Sequence, residues 1–520
     1  MHLPGRKIRG YLDAVDGQLL LFLVLLCNVK LVVKALALLL LLWRHRAQWS
    51  TVLRRPQPLV LLYPALAVAG VLSAILAGRF SEPNYGWAFL GSEGIWIACG
   101  ICALGMQCEA NARERACVWR TVEVFLMLNA FVSFAQLAGI IIETGALNPY
   151  RYQGNHQKYF INTGDYIKGI SFDTSTCNAV LCAIGVLVFT QRRRWATVAV
   201  LLCALVLTAS NLVFVLTLAG LAYLALFRST RAQKSILALF LLPFILFWAR
   251  ISPQNSSYVA TVLGMTTPKA AAAPVSDAVH SVEGQREAYA RHWIDSVGAE
   301  SKSTAPENVH TAERPALPTD NIHSAAFQHR DDSGAARQLL QHAAVQLATE
   351  KAPSLGSKPG KLLALQTTMQ WLRENPSRII TGNGPAAFSS KMAFKATGLG
   401  IAGSYPAART YRSADFEKGH LALYLTYFAA SEKLHSVVHS PNSVYLQLLG
   451  EYGLLGLLLL AAYFAILRRN RKRLSVTLPL IALLAALLAT DYWFEQLSVI
   501  PLLELLFFLD LRPNATYEAA

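Results

Sequence analysis

The sequence predicts an all-α polytopic membrane protein with about 12 transmembrane helices. Of its 520 residues, 54% are apolar and 15% are charged, and the mean hydropathy is +0.37. The apolar residues form long blocks separated by short basic clusters, a pattern typical of helices that cross a bilayer in succession. One long polar segment, residues 251–440, interrupts these blocks. We therefore expect a large helical loop between the eighth or ninth span and the next.

The first apolar block, residues 13–43, suits either a single helix or a hairpin that turns near Asn28. In the hairpin, Lys30 and Lys34 would extend toward the outer headgroups. Basic residues in short connections mark the cytoplasmic side of a membrane, and they both precede and follow this block. Because only a hairpin places both basic groups on one side, we predict two helices here.

The other apolar blocks are close to the roughly 20 residues that a spanning helix needs. They predict spans over 57–78, 86–106, 121–142, 174–190, 195–210, 211–227, 234–250, 443–467, 474–491 and 495–511. With this arrangement, every later basic cluster falls on the same side as the first. We therefore predict twelve spans with both chain termini in the cytoplasm.

Composition excludes several other classes of protein. The net charge of +16 could indicate nucleic-acid binding, but the basic residues serve as orientation signals and no nucleic-acid-binding motif is present. None of the eight cysteines lies in the long polar loop, and most are in or beside apolar blocks. They are expected to pack in the bundle rather than to form a disulfide framework or a metal site. We expect no nucleic-acid partner and no cofactor.

The long loop divides by composition into two parts. Residues from about 268 to 335 are rich in Ala, Ser, His and Pro, a composition typical of weakly ordered segments. Residues 337–350 and 361–376 have apolar positions at helical spacing, and Pro376 stops the second pattern. The turn TGNGPAAFSSKM then leads into another short helix. We expect a lid of short helices over the outer side of the bundle.

The loop ends with two histidines, His435 and His439, just before the span that begins the last part of the chain. Ser440 suits the N-cap of that helix and Pro441 suits its first position. The free N–H groups of a helix start at headgroup level could bind a phosphate, and a nearby histidine could deprotonate a sugar hydroxyl. An ordinary interfacial loop remains the alternative explanation for each histidine.

Glu451 lies about ten residues into the same helix, or roughly 15 Å along its axis. A carboxylate near the middle of a bilayer is costly and should face the bundle interior, paired or protonated. We expect it to fix helix packing rather than to perform chemistry. Gly453 and Gly456 would let a neighbouring helix approach closely.

Two outward regions carry positive charge that the orientation rule does not explain. One is the connection 143–172, with Arg151 and Lys168, and the other is the second half of the long loop. Arginine forks match phosphate oxygens, so an anionic substrate would explain these charges. Solvated surface charge is the alternative for most of them. Lys391 and Arg409 are the strongest loop candidates because they flank the part that leads to His439.

Four segments resemble the O-antigen ligase and O-antigen polymerase superfamily. HSPNSVYLQLLGEYGLLG resembles its His/Asn-x-x-Leu-x-x-x-x-Glu-x-Gly-x-x-Gly signature. IKGISFDTSTCNAVL is similar to its Arg-x-x-Gly-x-Phe stretch, and TASNLVFVLTLAGL is similar to its Thr-x-Ser-Arg segment. NPSRIITGNGPAAF is similar to its Pro-x-x-Gly-x-Gly-x-x-Phe turn. The four occur in the family's order and cover most of the chain.

The resemblance implies a metal-independent glycosyltransferase of the C-type membrane fold, in a bacterial inner membrane, with its active site and long loop on the periplasmic face. It would pass a glycan from undecaprenyl diphosphate to an acceptor glycan or to lipid A-core. The family's catalytic histidine corresponds to His439, with His435 as second candidate, and Lys168 and Asn211 stand where the family has arginines. The implied substrate-binding residues are Arg151, Lys168, Asn211, Lys391, Arg409 and Asn442.

The chemistry fits these residue types independently. A polyprenyl diphosphate is a good leaving group, so the protein needs only to neutralise its charge, orient the sugar and remove one proton. Paired carboxylates of hydrolytic spacing are not evident, which argues against a glycosidase. The alternatives left open are a transporter of a small anionic solute, a protein O-oligosaccharyltransferase and a non-catalytic assembly partner.

Overall fold

A computed structural model describes residues 14–54, 56–151, 166–247, 359–398, 404–429 and 440–512. They belong to one compact unit formed by Met1–Phe247 and Asp320–Ala520. Regular structure within these ranges is helical, with no strand, which confirms the all-α prediction. The segments 268–335 and 337–350, like His435 and His439, lie outside the described residues.

The helices of six or more residues are numbered here in chain order. They are α1 Gly17–Cys27, α2 Leu31–Arg44, α3 Trp49–Arg54, α4 Leu62–Leu76, α5 Tyr85–Ala112, α6 Arg115–Thr144, α7 Ser175–Gln191, α8 Trp195–Leu207, α9 Asn211–Phe227, α10 Arg231–Leu246, α11 Gly360–Glu374, α12 Lys391–Ala396, α13 Ala422–Ala429, α14 Val444–Arg469, α15 Leu478–Leu488 and α16 Ile500–Leu511.

Among the residues that the structure describes, four helical segments are long and apolar enough to cross a bilayer. They are α5, α6, α14 and Pro58–Leu76, which joins α4 to the short turn before it. Helices α1, α7, α8, α9 and α15 are apolar but shorter than the roughly 20 residues of a typical span. Together these helices indicate a polytopic membrane protein in contact with a lipid bilayer.

The first apolar block forms the helical hairpin. Helix α1 ends at Cys27 and α2 begins at Leu31, so the chain turns at the predicted position. Asp16 caps the start of α1, and its carboxylate lies 3.8 Å from Arg44 at the end of α2. The start of one helix is therefore next to the end of the other, so the two helices are antiparallel. Lys34 does not extend toward the headgroups as expected. Neighbouring helices enclose it, so it is buried, and it donates a hydrogen bond to Ser498.

Acidic side chains at one end of the bundle bind the basic residues of the helix termini. We call this the paired end and define it by Asp16, Glu109, Glu123 and Asp510. Glu109 lies 2.8 Å from Arg44, and Asp510 lies 2.8 Å from Arg115. The basic partners come from clusters that the sequence places on one side of the membrane.

The opposite end carries the described part of the long loop, and we call it the loop end. Its turn 382–390 is buried and packs between the spanning helices. Gly70 lies six residues, or about 9 Å, inside the end of α4. A Cβ atom on Gly70 would lie 2.9 Å from Pro385, so the turn reaches this depth. Tyr85 donates a 3.1 Å hydrogen bond to the Pro385 carbonyl.

Two of the predicted helices of the loop are present in the described residues. Helix α11 ends at Glu374, just before Pro376, and α12 follows the glycine-proline turn. The last predicted span, 495–511, begins later than expected. Pro501 occupies the first turn of α16, where its missing N–H costs nothing, and Glu495 belongs to a separate short turn.

Candidate functional site

Glu451 organises the centre of the loop end. It is fully buried, and its carboxylate accepts four backbone hydrogen bonds from the turn 382–390. Ala386 donates to one oxygen at 2.9 Å, and Phe388, Ser389 and Ser390 donate to the other at 3.0 to 3.2 Å. A buried carboxylate is stabilised when it accepts several N–H groups, and those N–H groups are satisfied in return.

The chain that enters the turn, residues 379–382, also pairs with α14 at a break in that helix. Gly453 has φ 65° and ψ −157°, so the helix is interrupted there. The freed N–H of Leu454 donates to the Ile379 carbonyl at 2.8 Å. A Cβ atom on Gly453 would lie 2.4 Å from the Ile380 carbonyl oxygen, so only glycine fits. We expected Gly453 to admit a neighbouring helix, but it admits this turn.

Helix α14 begins three residues later than expected, because its N-cap is Ser443 rather than Ser440. Lys361 explains the shift. Its ammonium group donates to the backbone carbonyls of Ser440, Asn442 and Thr490, and the Ser440 carbonyl therefore does not begin the helix. Burial lowers the pKa of Lys361 to about 8, and the charge of Asp491 opposes that change.

Two lysines lie on α12, directly after the turn that Glu451 holds. Ser390 caps α12 by accepting a 3.0 Å hydrogen bond from the Ala393 N–H. Lys391 and Lys395 are four residues apart, so they share one face of this helix. Both are partly exposed, and neither has an ion-pair or hydrogen-bond partner for its side chain among the described residues. They are available to an anionic ligand.

Lys395 lies within electrostatic range of Lys391, Glu495 and Asp173. Burial, followed by repulsion from Lys391, lowers the pKa of Lys395 to about 8, while the two carboxylates oppose this shift. We define the loop-end site as Lys391, Lys395, Asp173, Gln447 and Glu495. It joins four segments that are far apart in the sequence.

Glu495 is a member of this site that the sequence did not reveal. It accepts a hydrogen bond from the Gln447 side-chain amide. Burial and the Glu451 charge raise the pKa of Glu495 to about 7, while the Gln447 hydrogen bond and the lysines Lys391 and Lys395 lower it. In the sequence, Glu495 follows the aromatic residues YWF and is the first residue of the predicted span 495–511. A carboxylate with this pKa can exchange a proton at neutral pH.

The other candidate residues lie in different places. Lys168 is partly buried beside the short turn Gly169–Ser171. Arg151 ends the turn Pro149–Arg151, whose Tyr150 hydroxyl binds the Leu207 carbonyl, four residues before Asn211. The chain thus brings Arg151 and Asn211 to one region. No described contact links that region to α12.

Arg409 and Asn442 have structural partners. The Arg409 guanidinium lies 4.2 Å from the ring centre of Trp87, and its side chain is exposed. The Asn442 carbonyl accepts from Lys361, whereas its side-chain oxygen is buried without a hydrogen-bond partner among the described residues. His435 and His439 precede this segment, outside the described residues. Their predicted roles stay predictions.

Within the described ranges, no group of three His, Cys, Asp or Glu side chains could hold a metal ion. No protein-family model matches the chain, and no curated protein matches it.

Proposed function

We propose that the protein is a bacterial inner-membrane glycosyltransferase that passes a glycan from undecaprenyl diphosphate to an acceptor sugar on the periplasmic face. It would act as an O-antigen ligase or as a polymerase of surface polysaccharide or exopolysaccharide. The observation that carries the proposal is the lysine pair of the loop-end site. Lys391 and Lys395 share a helix face and have no anionic partner bound to them among the described residues. Two such cations suit the charge of a diphosphate.

The proposed topology has twelve spans and both termini in the cytoplasm. Its support is the group of arginines from short basic connections that meets at the paired end, where Arg44, Arg113, Arg115 and Arg194 bind carboxylates. Cytoplasmic connections are enriched in such residues. The loop end, with its lysine pair, then faces the periplasm, where lipid-linked glycans are presented.

In the proposed reaction, an acceptor hydroxyl oxygen attacks the anomeric carbon of the donor glycan. The bond from that carbon to the diphosphate oxygen breaks, and undecaprenyl diphosphate leaves with the electron pair. Lys391 and Lys395 stabilise the charge on the leaving group. The hydroxyl proton passes to a base. No cofactor enters this step.

His439 is the proposed base. It precedes Ser440, which is buried and whose carbonyl is bound by Lys361, so the chain next to the histidine is anchored. Glu495 is the competing candidate because its pKa of about 7 lets it accept a proton. Arg151, Lys168, Asn211 and Asn442 remain proposed contacts to the glycan or diphosphate. Arg409 is not among them, because its guanidinium lies over the ring of Trp87.

The test is transfer in proteoliposomes supplied with an undecaprenyl-diphosphate-linked glycan and purified acceptors. Glycosylated lipid A-core identifies a ligase, a longer carrier-linked glycan identifies a polymerase, and a glycosylated peptide identifies a protein O-oligosaccharyltransferase. Passage of a small anion across the membrane without covalent transfer would replace the proposal with a transporter.

Variants then test the residues. The double change Lys391→Met and Lys395→Met should reduce transfer at least 100-fold while leaving expression intact, since two cations are lost. Arg409→Gln is the matched control for loss of an exposed cation and should retain most activity. His439→Ala and Glu495→Gln distinguish the two candidate bases. The variant that loses transfer identifies the residue that accepts the proton. Full activity in the double lysine variant would remove the loop-end site from the mechanism.

A further inference from the structure

Helix α11, Gly360–Glu374, presents three kinds of surface around its axis. Its protein-facing side is formed by the buried residues Gly360, Ala364, Thr368, Trp371 and Leu372. Ala364 packs with Leu423 and Leu446, and the Trp371 ring lies 4.3 Å from that of Phe388. This side fixes α11 to the loop end, next to the turn held by Glu451.

A second side of α11 is apolar and exposed. Leu362, Leu365 and Met369 are 43%, 41% and 42% exposed. With about 100° of rotation per residue, their directions fall within roughly 60° of one another, so they form one stripe. Single exposed apolar residues are ordinary on protein surfaces, whereas an ordered stripe on one helix is a feature of binding faces.

The third side of α11 is polar and lies beside that stripe. Gln366, Gln370 and Arg373 are exposed, and Gln370 donates a 2.9 Å hydrogen bond to Glu374. The helix therefore changes from apolar to polar across its own exposed surface. Helices that rest at the boundary between lipid and water have this division.

The chain after α11 joins the surface of the spanning helices. Ile380 is 66% exposed, and its carbonyl accepts a 3.1 Å hydrogen bond from Leu455 of α14. On α14, the nearby Leu454 and Leu458 are 43% and 65% exposed. Arg378 donates to the Leu76 carbonyl at the end of α4, and Leu76 is itself 61% exposed. Exposed apolar side chains of two spanning segments thus lie beside Ile380, six residues after the end of α11.

We propose that α11 lies in the interface of the bilayer, with Leu362, Leu365 and Met369 among lipid acyl chains and Gln366 and Gln370 in water. The occupant of the apolar stripe is the same bilayer that surrounds α4 and α14. This placement is an alternative to the prediction that the segment forms a lid over the membrane. It does not depend on the proposed glycosyltransferase activity.

The first test uses single cysteine variants labelled with a nitroxide in lipid nanodiscs. Positions 365 and 369 probe the stripe, and positions 366 and 370 are matched controls one residue away on the same helix. Cys117 and Cys203 are replaced by Ser first, because they are the cysteines with solvent access and the other six are buried. Collision rates are measured with oxygen, which concentrates in lipid, and with a water-soluble nickel chelate.

The ratio of oxygen to nickel collisions should be at least threefold higher at 365 and 369 than at 366 and 370. High nickel access at 365 and 369 would show a water-facing stripe and overturn the proposal. Low access to both reagents would show that another part of the chain covers it, and would also overturn it. Each labelled protein must elute and melt like the unlabelled parent.

The second test needs no substitution. A phospholipid with a diazirine near the start of its acyl chain is photolysed with the unmodified protein, followed by trypsin digestion. Cleavage after Lys361 and Arg373 releases residues 362–373 as one peptide. Lipid adducts on this peptide, at the apolar positions, are expected. Their absence, with adducts present on α6, would contradict the placement even if labelled variants misfold.

Discussion

The paired end and the loop end satisfy their charges in different ways. At the paired end, carboxylates such as Glu109 and Asp510 meet arginines at hydrogen-bond distance. At the loop end, Arg79 pairs with Glu82 and Asp415, but Glu451 and Lys361 bind backbone groups. The lysines of α12 have no ion partner among the described residues. Buried charge is costly unless it is compensated. Compensation by a directly bound side chain indicates a structural role, whereas a partly exposed charge without such a partner is a candidate ligand site.

The change with the largest expected effect is Glu451→Ala. It leaves four buried N–H groups of the turn without an acceptor, each costing about 1–3 kcal/mol, and we expect a total loss of about 5 kcal/mol. Thermal unfolding in detergent measures this loss. Because the turn also positions α12, transfer should be lost with it. A variant that melts like the parent would show that the turn holds its shape without the carboxylate.

A comparable change at the paired end is Asp510→Ala. Asp510 binds Arg115 and accepts from the N–H groups of Val476 and Thr477 and from the Thr477 hydroxyl, so its removal leaves these three donors without this acceptor. We expect a loss of about 3 kcal/mol in unfolding free energy. Asp510→Ala protein that remains folded should keep its specific transfer activity, whereas Glu451→Ala protein should lose it. Loss of activity in correctly folded protein would contradict the separation of roles between the two ends.

The next prediction concerns pH. Lys395 has a pKa near 8, so it is charged below pH 8 and neutral above it, and its attraction for an anion is lost as pH rises through that value. We expect the affinity for a short-chain polyprenyl diphosphate to fall about tenfold between pH 7 and pH 9.5, the value of one charge-assisted hydrogen bond.

Lys395→Arg is the control for this titration. Arginine stays charged across the range, so the affinity of the variant should vary by less than threefold. Calorimetric titration at four pH values measures both proteins. An equal decline in the variant would assign the titrating group elsewhere.

The smallest effect is expected for Arg409→Gln. Its cation–π contact with Trp87 is exposed and should contribute about 0.5–1 kcal/mol to stability. Thermal unfolding measures this small change, and the affinity for the diphosphate should stay within twofold of the parent. A tenfold loss of affinity would restore Arg409 as a ligand contact and extend the site beyond α12.

Helix positions could be predicted from sequence because hydrophobic periodicity and capping are local signals. The hairpin turn near Asn28, the end of α11 before Pro376 and the short helix after the glycine-proline turn are examples. The start of α14 could not be predicted from the sequence. Lys361, about 80 residues away, binds the Ser440 carbonyl at 3.2 Å, and the helix therefore begins later. The helix boundary therefore depends on a distant side chain.

Candidate site residues were predictable as types but not as a group. Cations in outward segments and a glutamate in an apolar helix were visible in the sequence, and Lys391, Arg409 and Glu451 were named from it. The sequence did not show which of these residues lie close together in the fold. Glu495 joins the lysines of α12 because α16 starts at Ile500, which leaves the residues before it in a separate turn at the loop end.

The sequence by itself determined that this is a helical membrane protein with segregated basic clusters, because apolar block length and charge act locally on each segment. Only the tertiary structure decided that the turn 382–390 enters the bundle, that Glu451 holds it, and that Lys395 lies within electrostatic range of Glu495 and Asp173. Those relations join residues from about 60 to more than 200 positions apart. They are set by packing and by the cost of leaving a buried charge or N–H group without a partner.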